Sequence, residues 1–272
     1  VGNFIAKPST QLAGYVKQYW AVEDIVPSGL QHLQRIVPNG LPELTFYLGN
    51  TPESLDSRQR YRGNLVLCGQ HNAFHDIVIT GEISLFSISF RPYALKILFG
   101  IPANELNNIN VSLFDICGNE AYILEFKLAE SRSFFEKIKV TEQFLLKRLN
   151  LNFSKNNIQR IADSLTIIDK SYGSADIGLL ASKAFLSRKQ YERMFAEYVG
   201  ASPGQFLRTV RFQHSLHIKH CKKNIPLTEL AYLCGYYDQS HMIHEYKLLS
   251  GLTPSQYFAE CEPVSDYFQE FP

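Results

Sequence analysis

Two stretches, 187–199 and 238–249, carry side chains of the types that can bond base-pair edges, set at the spacing of a helix with one apolar face. In the first, Tyr191, Met194, Phe195 and Tyr198 or Val199 recur at i, i+3, i+4, i+7, the face that packs inward. Arg188, Lys189, Glu192 and Arg193 are left outward. A guanidinium fork on Arg193 fits guanine O6 and N7, and Glu192 can accept from cytosine N4. As neighbours, the two could equally form a solvated ion pair. In the second stretch Met242, Tyr246 and Leu249 are expected in the core, leaving Gln239, Ser240, His241, Ile243, His244 and Lys247 toward DNA or solvent. Gln239 suits adenine, Ile243 a thymine methyl, and Lys247 a phosphate.

Other clusters invite chemistry less strongly. His214, His217 and His220 sit three apart on one expected helix, but steps of 100° drift across its surface and no nearby carboxylate or cysteine completes a metal set; a partly exposed connecting helix is the plainer reading. His71, His75 and Asp76 lie beside an expected strand and are the one cluster available to a catalytic metal, which needs about three ligands and an open position. There is no GxSxG, HExxH, GxxxxGK[ST] or GxGxxG string, so no catalytic residue, metal or cofactor is expected. Arg91 at a strand-to-helix junction is a candidate for an anionic ligand, and Trp20, the sole tryptophan, for a ligand platform, although either can serve packing instead.

The elements that position these residues follow from punctuation. Residues 1 to about 100 contain short Val, Ile, Phe and Tyr runs at 33–37, 44–49, 64–69, 75–81 and 83–90, separated by turns such as Pro38-Asn39-Gly40. This predicts a small barrel or sandwich. From Pro92 the period becomes helical, with Ala94, Leu95, Leu98 and Phe99 on one face and longer helices near 117–131 and 132–150. Beyond a polar segment at 150–157 nearly everything reads as helix, with Ser187, Ser202-Pro203 and Thr253-Pro254 as starts.

The helical region repeats at an offset of 51. Tyr191 matches Met242, Phe195 matches Tyr246, Gly200 matches Gly251, Ser202-Pro203 matches Thr253-Pro254 and Phe206 matches Tyr257. Each copy reads as a short helix, a tight turn and a second helix capped by Ser187 or Asp238, the order of a helix-turn-helix. A long helix over 203–222 joins them.

These residues resemble the double helix-turn-helix domain of AraC/XylS-type transcription regulators. The resemblance lies chiefly in IPLTELAYLCGYYDQSHMIHEYKLLSGLTPSQY (225–257) and LSRKQYERMFAEYVGASPGQFLRTVRF (186–212). It places base contacts on Lys189, Glu192 and Arg193, and the second unit adds Gln239, Ser240, His241, Ile243 and His244. Arg188, Lys247 and Lys222 are the phosphate candidates, with Lys219, Lys222 and Lys223 equally expected at a helix C-terminus. His244 stands where the family commonly has arginine, and histidine is mostly neutral at pH 7. Residues 38–49 and 87–106 are similar to an uncharacterised domain attached to some of these regulators. The resemblance implies double-stranded DNA as partner, and in the family also RNA polymerase, a small-molecule effector and a second copy of the chain.

Composition sets the frame. Of 272 residues, 45% are hydrophobic and 19% charged, which excludes disorder and low complexity as the dominant state. No apolar run approaches the ~18–20 residues of a membrane helix, the N-terminus does not read as a secretory signal, and five scattered cysteines argue for reduced thiols, so a cytoplasmic chain is expected. Residues 1–169 balance 16 basic against 16 acidic groups, 170–259 carry 11 against 6, and 260–272 carry four acids and no base. The expected fold is α+β: a β-rich sensor or dimerisation domain with C-terminal helices (1–150), a linker or first helix (151–169), an all-α DNA-binding domain of two helix-turn-helix units (170–260) and an acidic tail (261–272). The expected function is sequence-specific transcription regulation without enzymatic activity. The alternatives are a metal-dependent enzyme or sensor in the N-terminal part, and a protein-interaction module.

Overall fold

The computed structural model describes residues 2–56, 63–149 and 155–261. Period-two alternation places two different faces on one sheet. Strands β1 (Gly2–Ala6), β2 (Val16–Ile25), β4 (Glu43–Tyr47), β6 (Leu65–Cys68), β8 (Glu82–Phe90) and β9 (Asn110–Ser112) pair antiparallel in the order β1-β2-β8-β4-β6-β9. One face presents Tyr19, Ala21, Leu44, Phe46, Leu65, Leu67, Phe86, Ile88 and Phe90 to a core closed by three helices: α1 (Ala94–Phe99), α3 (Asn119–Glu130) and α4 (Phe134–Arg148). The opposite face carries Trp20, Val22, Glu43, Thr45 and Tyr47 toward a second sheet, β3 (His32–Ile36), β7 (His75–Ile79) and β5 (Glu53–Ser54) in the order β3-β7-β5, with a cavity of about 330 Å³ between. The expected β-rich domain with flanking helices is therefore present as two facing sheets.

Periodicity did not reveal every strand. β2 holds Lys17, Gln18, Glu23 and Asp24, and its register shifts between Val16 and Gln18, so its sequence does not alternate cleanly. β9 lies beyond α1, yet returns to pair with β6 through Val66↔Ser112. A short helix, α2 (Leu113–Cys117), capped by Ser112, then leads into α3.

The rest is helical: α5 (Lys155–Lys170), α6 (Ile177–Lys183), α7 (Arg188–Val199), α8 (Pro203–Cys221), α9 (Leu227–Leu233), α10 (Gln239–Ser250) and α11 (Pro254–Glu260). Two cores form here. Tyr191, Phe195 and Val199 pack with Leu180, Ile161, Leu165 and Ile168, so α5 joins the first unit's core. Met242, Tyr246 and Leu249 pack with Leu230, Ala231 and Tyr257. α8 belongs to both, giving Phe206, Leu207 and Val210 to the first and Phe212 and Leu216 to the second. The connecting helix is partly exposed, as expected, with His217 half-buried and His220 exposed, but its middle is buried: His214 lies inside and stacks on Tyr172 with ring centroids 3.9 Å apart. Its hydrophobic residues are shared between two cores, so no single face reads as the apolar stripe. The expected acidic tail at 261–272 lies outside the described residues apart from Cys261.

The sheet domain seats directly on both helical units. Lys96 pairs with Glu197 and lies 4.5 Å from the centroid of the Tyr198 ring, both on α7. Gln213 Nε2 on α8 donates to the Pro38 carbonyl at 2.9 Å. Arg35 on β3 grips Asp76 through two 2.8 Å bonds and also donates to the carbonyl of Ser250, the last residue of α10, at 3.1 Å.

Gly200 and Gly251, which end α7 and α10 at φ 93° and 75°, are the contact points. A Cβ on Gly200 would stand 3.0 Å from the Ala103 carbonyl oxygen, and one on Gly251 2.6 Å from the Phe74 ring. Both positions need glycine twice over, for the left-handed backbone and for the close approach. Gly251→Ala is expected to cost ~1–2 kcal/mol from backbone conformation and more from the Phe74 contact. Urea melts of Gly251→Ala with and without Phe74→Ala test this: the pair should be less than additive, and strict additivity would show that the ring does not matter.

Candidate nucleic-acid interface

Each unit is built by local signals that the chain repeats. The Ser187 hydroxyl accepts from Gln190 N and caps α7, while Asp238 accepts from His241 N at 2.7 Å and caps α10. Ser202 and Thr253, each followed by proline, form capping boxes with Gln205 and Gln256, starting α8 and α11 at equivalent places. α7 and α10 are thus the second helices of two helix-turn-helix units. Their inner faces, Tyr191, Met194, Phe195, Tyr198, Val199 and Met242, Tyr246, Leu249, are buried as the periodicity indicated.

On the outer face of α7, Arg188, Lys189 and Arg193 are exposed. Glu192 is not paired with Arg193: it accepts from Arg188 Nε at 2.9 Å, one turn back, in an i,i+4 bridge. That pairing leaves the Arg193 guanidinium projecting alone along the helix, and makes Arg188 an exchangeable partner for Glu192 or a phosphate. An exposed bridge of this kind is worth only ~0.3–0.5 kcal/mol, so it yields readily to a stronger partner.

The outer face of α10 differs from its sequence reading at two positions. His241 is taken up by its own helix: Nδ1 accepts from the Tyr237 backbone N–H at 3.2 Å, and Nε2 lies 3.2 Å from Glu245 Oε1. With both ring nitrogens engaged, His241 braces the helix start. The Gln239 carbonyl oxygen accepts from the Thr228 hydroxyl of α9 at 2.8 Å, which leaves it one free lone pair and holds the side chain against α9. Ser240, His244 and Lys247 are exposed, and Ile243 is half-buried. Lys222 caps the far end of α8.

The residue pair that sets the two helices relative to one another was not singled out from sequence. Glu245 is buried on the apolar stripe of α10, 3.7 Å from Arg211 Nη1 on α8. Arg211 in turn donates to the Gly173 carbonyl at 3.1 Å, and its guanidinium carbon stands 5.5 Å from the centroid of the Tyr236 ring. A glutamate between Met242 and Leu249 on the inner face was the available signal, because a buried carboxylate requires a partner. Gly173, at φ 78°, packs against the α8 backbone closely enough that a Cβ would fall 2.4 Å from the Leu207 carbonyl oxygen. One turn therefore ties α5 to α8 and, through Arg211, to α10.

The ligand candidates separate. Trp20 lines the cavity between the sheets, its Nε1 donating to Ser89 Oγ at 3.1 Å, and Ser89 Oγ donates to Glu43 Oε1 at 3.0 Å. Arg91 is exposed beside Tyr93 and Asp169 at a different, shallow hollow. The two do not form one site. His71 and His75 also line the cavity with ring centroids 4.9 Å apart, while Asp76 turns away to Arg35. Burial, reinforced by His75, pushes His71 down to about 4, and burial also lowers His75, so both rings are neutral near pH 7. Among the described residues no group of three or more His, Cys, Asp or Glu stands ready to hold a metal, and no helix is long and apolar enough to cross a membrane.

Residues 180–260 match a family described as a helix-turn-helix domain, and residues 5–112 match one described as a domain of unknown function. A probable transcriptional regulator, LumQ of Photobacterium leiognathi, is 26% identical over 127 residues, 45% of this chain and 50% of that protein. An uncharacterised helix-turn-helix transcriptional regulator of Haemophilus influenzae is 31% identical over 93 residues, 34% of this chain and 31% of the relative. The chain thus spans half or less of the curated relatives it matches. The crystal structure of ToxT from Vibrio cholerae aligns over 85% of this chain and 96% of its own at 14% identity, with a TM-score of 0.46.

Arg211→Met should destabilise the chain by ~3–5 kcal/mol, because Glu245 is left buried without its cation. Adding Glu245→Met should recover much of that loss in urea melts, and no recovery would show that the pair is not the origin of the cost. Stability should also depend on pH in a defined window. His71 and His214 both titrate at about 4 in the fold, His214 because of burial and the neighbouring His217, against an ordinary 6.5. Between those values the unfolded chain binds more protons, so stability falls as pH drops from 6.5 to 4, and these two groups add no slope above 6.5. Thermal melts across that window should show the decline, reduced in His214→Phe; an unchanged slope in that variant would remove His214 from the account.

Proposed function

We propose that this chain, with its AraC-type helix-turn-helix domain at residues 180–260 behind an N-terminal domain of unknown function, is a sequence-specific DNA-binding transcription regulator. The observation that carries this reading is the repeated geometry: α7 and α10, each capped and each presenting a polar outer face, are held on the single helix α8. Two such helices on a rigid connector suit successive major-groove faces ~34 Å apart, so one chain reads an asymmetric site. The relatives named as transcriptional regulators support the same conclusion.

On α7, Lys189 and Arg193 are the base readers, with Glu192 joining once Arg188 swings to phosphate. On α10, Ser240, Ile243 and His244 face the groove, Gln239 contributes its amide donor, and Lys247 holds phosphate. The DNA-binding unit begins with α5, whose Ile161, Leu165 and Ile168 belong to the first core. No catalytic step is part of this reading, and its place of action is the cytoplasm, where RNA polymerase is available as a partner. Tyr122, Ile123 and Phe126, exposed on α3, supply the face for pairing with a second copy.

The cavity between the sheets is the effector site in this reading. Its wall and the docking face alternate along the same segments: Gln34 and Ile36 line the cavity while Arg35 between them reaches Ser250 at the end of α10. Residues 69–75 do likewise, with His71 and His75 lining the cavity, Gln70 beside Gly200 and Phe74 against Gly251. A small molecule seated there acts on both α7 and α10 through this loop.

Selection from a random duplex pool by the full chain should return a site with two blocks about one helical turn apart. Arg193→Ala should then lose ~1–3 kcal/mol on that site and relax the choice at one base pair, whereas Lys247→Ala should weaken all duplexes alike and lower the salt slope by about one. A uniform loss from Arg193→Ala would move that residue to the phosphate contacts, and a pool without enrichment would overturn the reading.

A further inference from the structure

The two most exposed large apolar side chains among the described residues both lie in the turns of the two units, at neighbouring but not equivalent positions. Phe185 is 87% exposed and Tyr237 86%, and each lies in the turn that leads into the second helix of its unit. Phe185 stands two residues before the Ser187 cap of α7, and Tyr237 one residue before the Asp238 cap of α10. Solvent exposure of a whole aromatic ring is unfavourable unless a partner covers it.

Backbone conformation sharpens the case for Phe185. It sits at φ 56°, in the left-handed region, at the position where the second unit has Gly235 at φ 76°. Glycine adopts that conformation without penalty, whereas a bulky residue there is an outlier that the surrounding structure must enforce. The turn would be more stable with glycine, and yet it carries a phenyl ring pointing into solvent. Tyr237 is the one residue by which the second turn is longer than the first, and its N–H is fixed on His241 Nδ1, which aims the residue away from the core. Neither ring serves packing in its own unit.

We propose that Phe185 and Tyr237 are DNA-contacting residues that lay their rings against the deoxyribose walls of the major groove at the entry point of each helix. The inference rests on the DNA-binding reading above and names contacts outside the base-reading faces. A second helix of this motif enters the groove by its N-terminal residues, so the residues just before its cap stand beside the sugar-phosphate wall. Phe185 has no polar atom to offer a phosphate, and an aromatic ring at a groove wall finds apolar sugar edges. Such contacts add affinity without reading sequence and without releasing counterions.

The test titrates the full chain and its Phe185→Gly, Tyr237→Ala and Tyr237→Phe variants against the duplex returned by selection, at two salt concentrations, with thermal melts of each protein. Phe185→Gly and Tyr237→Ala should each bind about fivefold more weakly, the effect of losing a modest apolar contact, with the salt slope unchanged. Tyr237→Phe should bind as the parent does. Phe185→Gly should melt at a higher temperature than the parent while binding less well, a combination that a packing role cannot produce. Parent-like binding by Phe185→Gly and Tyr237→Ala, with the parent itself binding tightly, overturns this proposal and leaves the DNA-binding reading intact. A lower melting temperature for Phe185→Gly overturns it for that residue by showing that the ring packs. Failure of the parent chain to bind any duplex overturns both.

Discussion

A half-buried arginine on α8 joins three segments of the helical half of the molecule. Arg211 meets Glu245 of α10, the Gly173 carbonyl at the end of α5 and the Tyr236 ring in the turn before α10. Each partner comes from a different segment, so the guanidinium is a junction and not a local bridge. Burying two charges is costly, and a hydrophobic pair of similar volume is often as stable. What the ion pair adds is direction: an apolar contact would tolerate rotation of α10 about α8, whereas the 3.7 Å ion pair favours the orientation that keeps Arg211 and Glu245 together. A set angle and spacing between α7 and α10 is what the proposed function requires of this junction. His241 extends the same network to the N-terminal end of α10.

The sheet domain imposes a second constraint from the opposite side. It touches α7 and α10 at their C-terminal ends, with Gln70, Phe74 and Arg35, whose chain neighbours His71, His75, Gln34 and Ile36 line the cavity. The helix ends that dock and the helix starts proposed to face DNA are therefore opposite ends of the same rods. The lining of that cavity, with Trp20, Tyr47, His71 and His75 around a hydroxyl and carboxylate chain, is polar enough to orient a ligand and apolar enough to hold one.

The outer faces of the two units are not equivalent. α7 presents Lys189 and Arg193 with a labile bridge between Arg188 and Glu192 beside them, so its face is cationic and adaptable. α10 presents His244, Ile243 and Ser240, with Gln239 partly committed to Thr228, so its face carries less charge. Under the proposed function the first face is the better suited to hydrogen-bonded recognition of G·C pairs.

How much of this could be read before the fold was known depends on the range of the forces involved. Helix caps, glycine ends and the inward faces of α7 and α10 rest on interactions within four residues, and the 51-residue repeat displays each of them twice, so the sequence by itself determined the two helix-turn-helix units. The facing sheets were foreseen as a class because short alternating runs between turns have few other solutions. β2 and β9 were not foreseen, since a bulge and a late return to the sheet erase local alternation. Only the tertiary structure decided which polar groups remain available: His241 and the Gln239 carbonyl are engaged, Glu192 faces Arg188, and His214 lies inside α8's shared core. It also brought Arg35 to Ser250 across 215 positions and Gln213 to Pro38 across 175. Residue types announce what a side chain can bond, but the partner at that separation is chosen by packing, which no local pattern records.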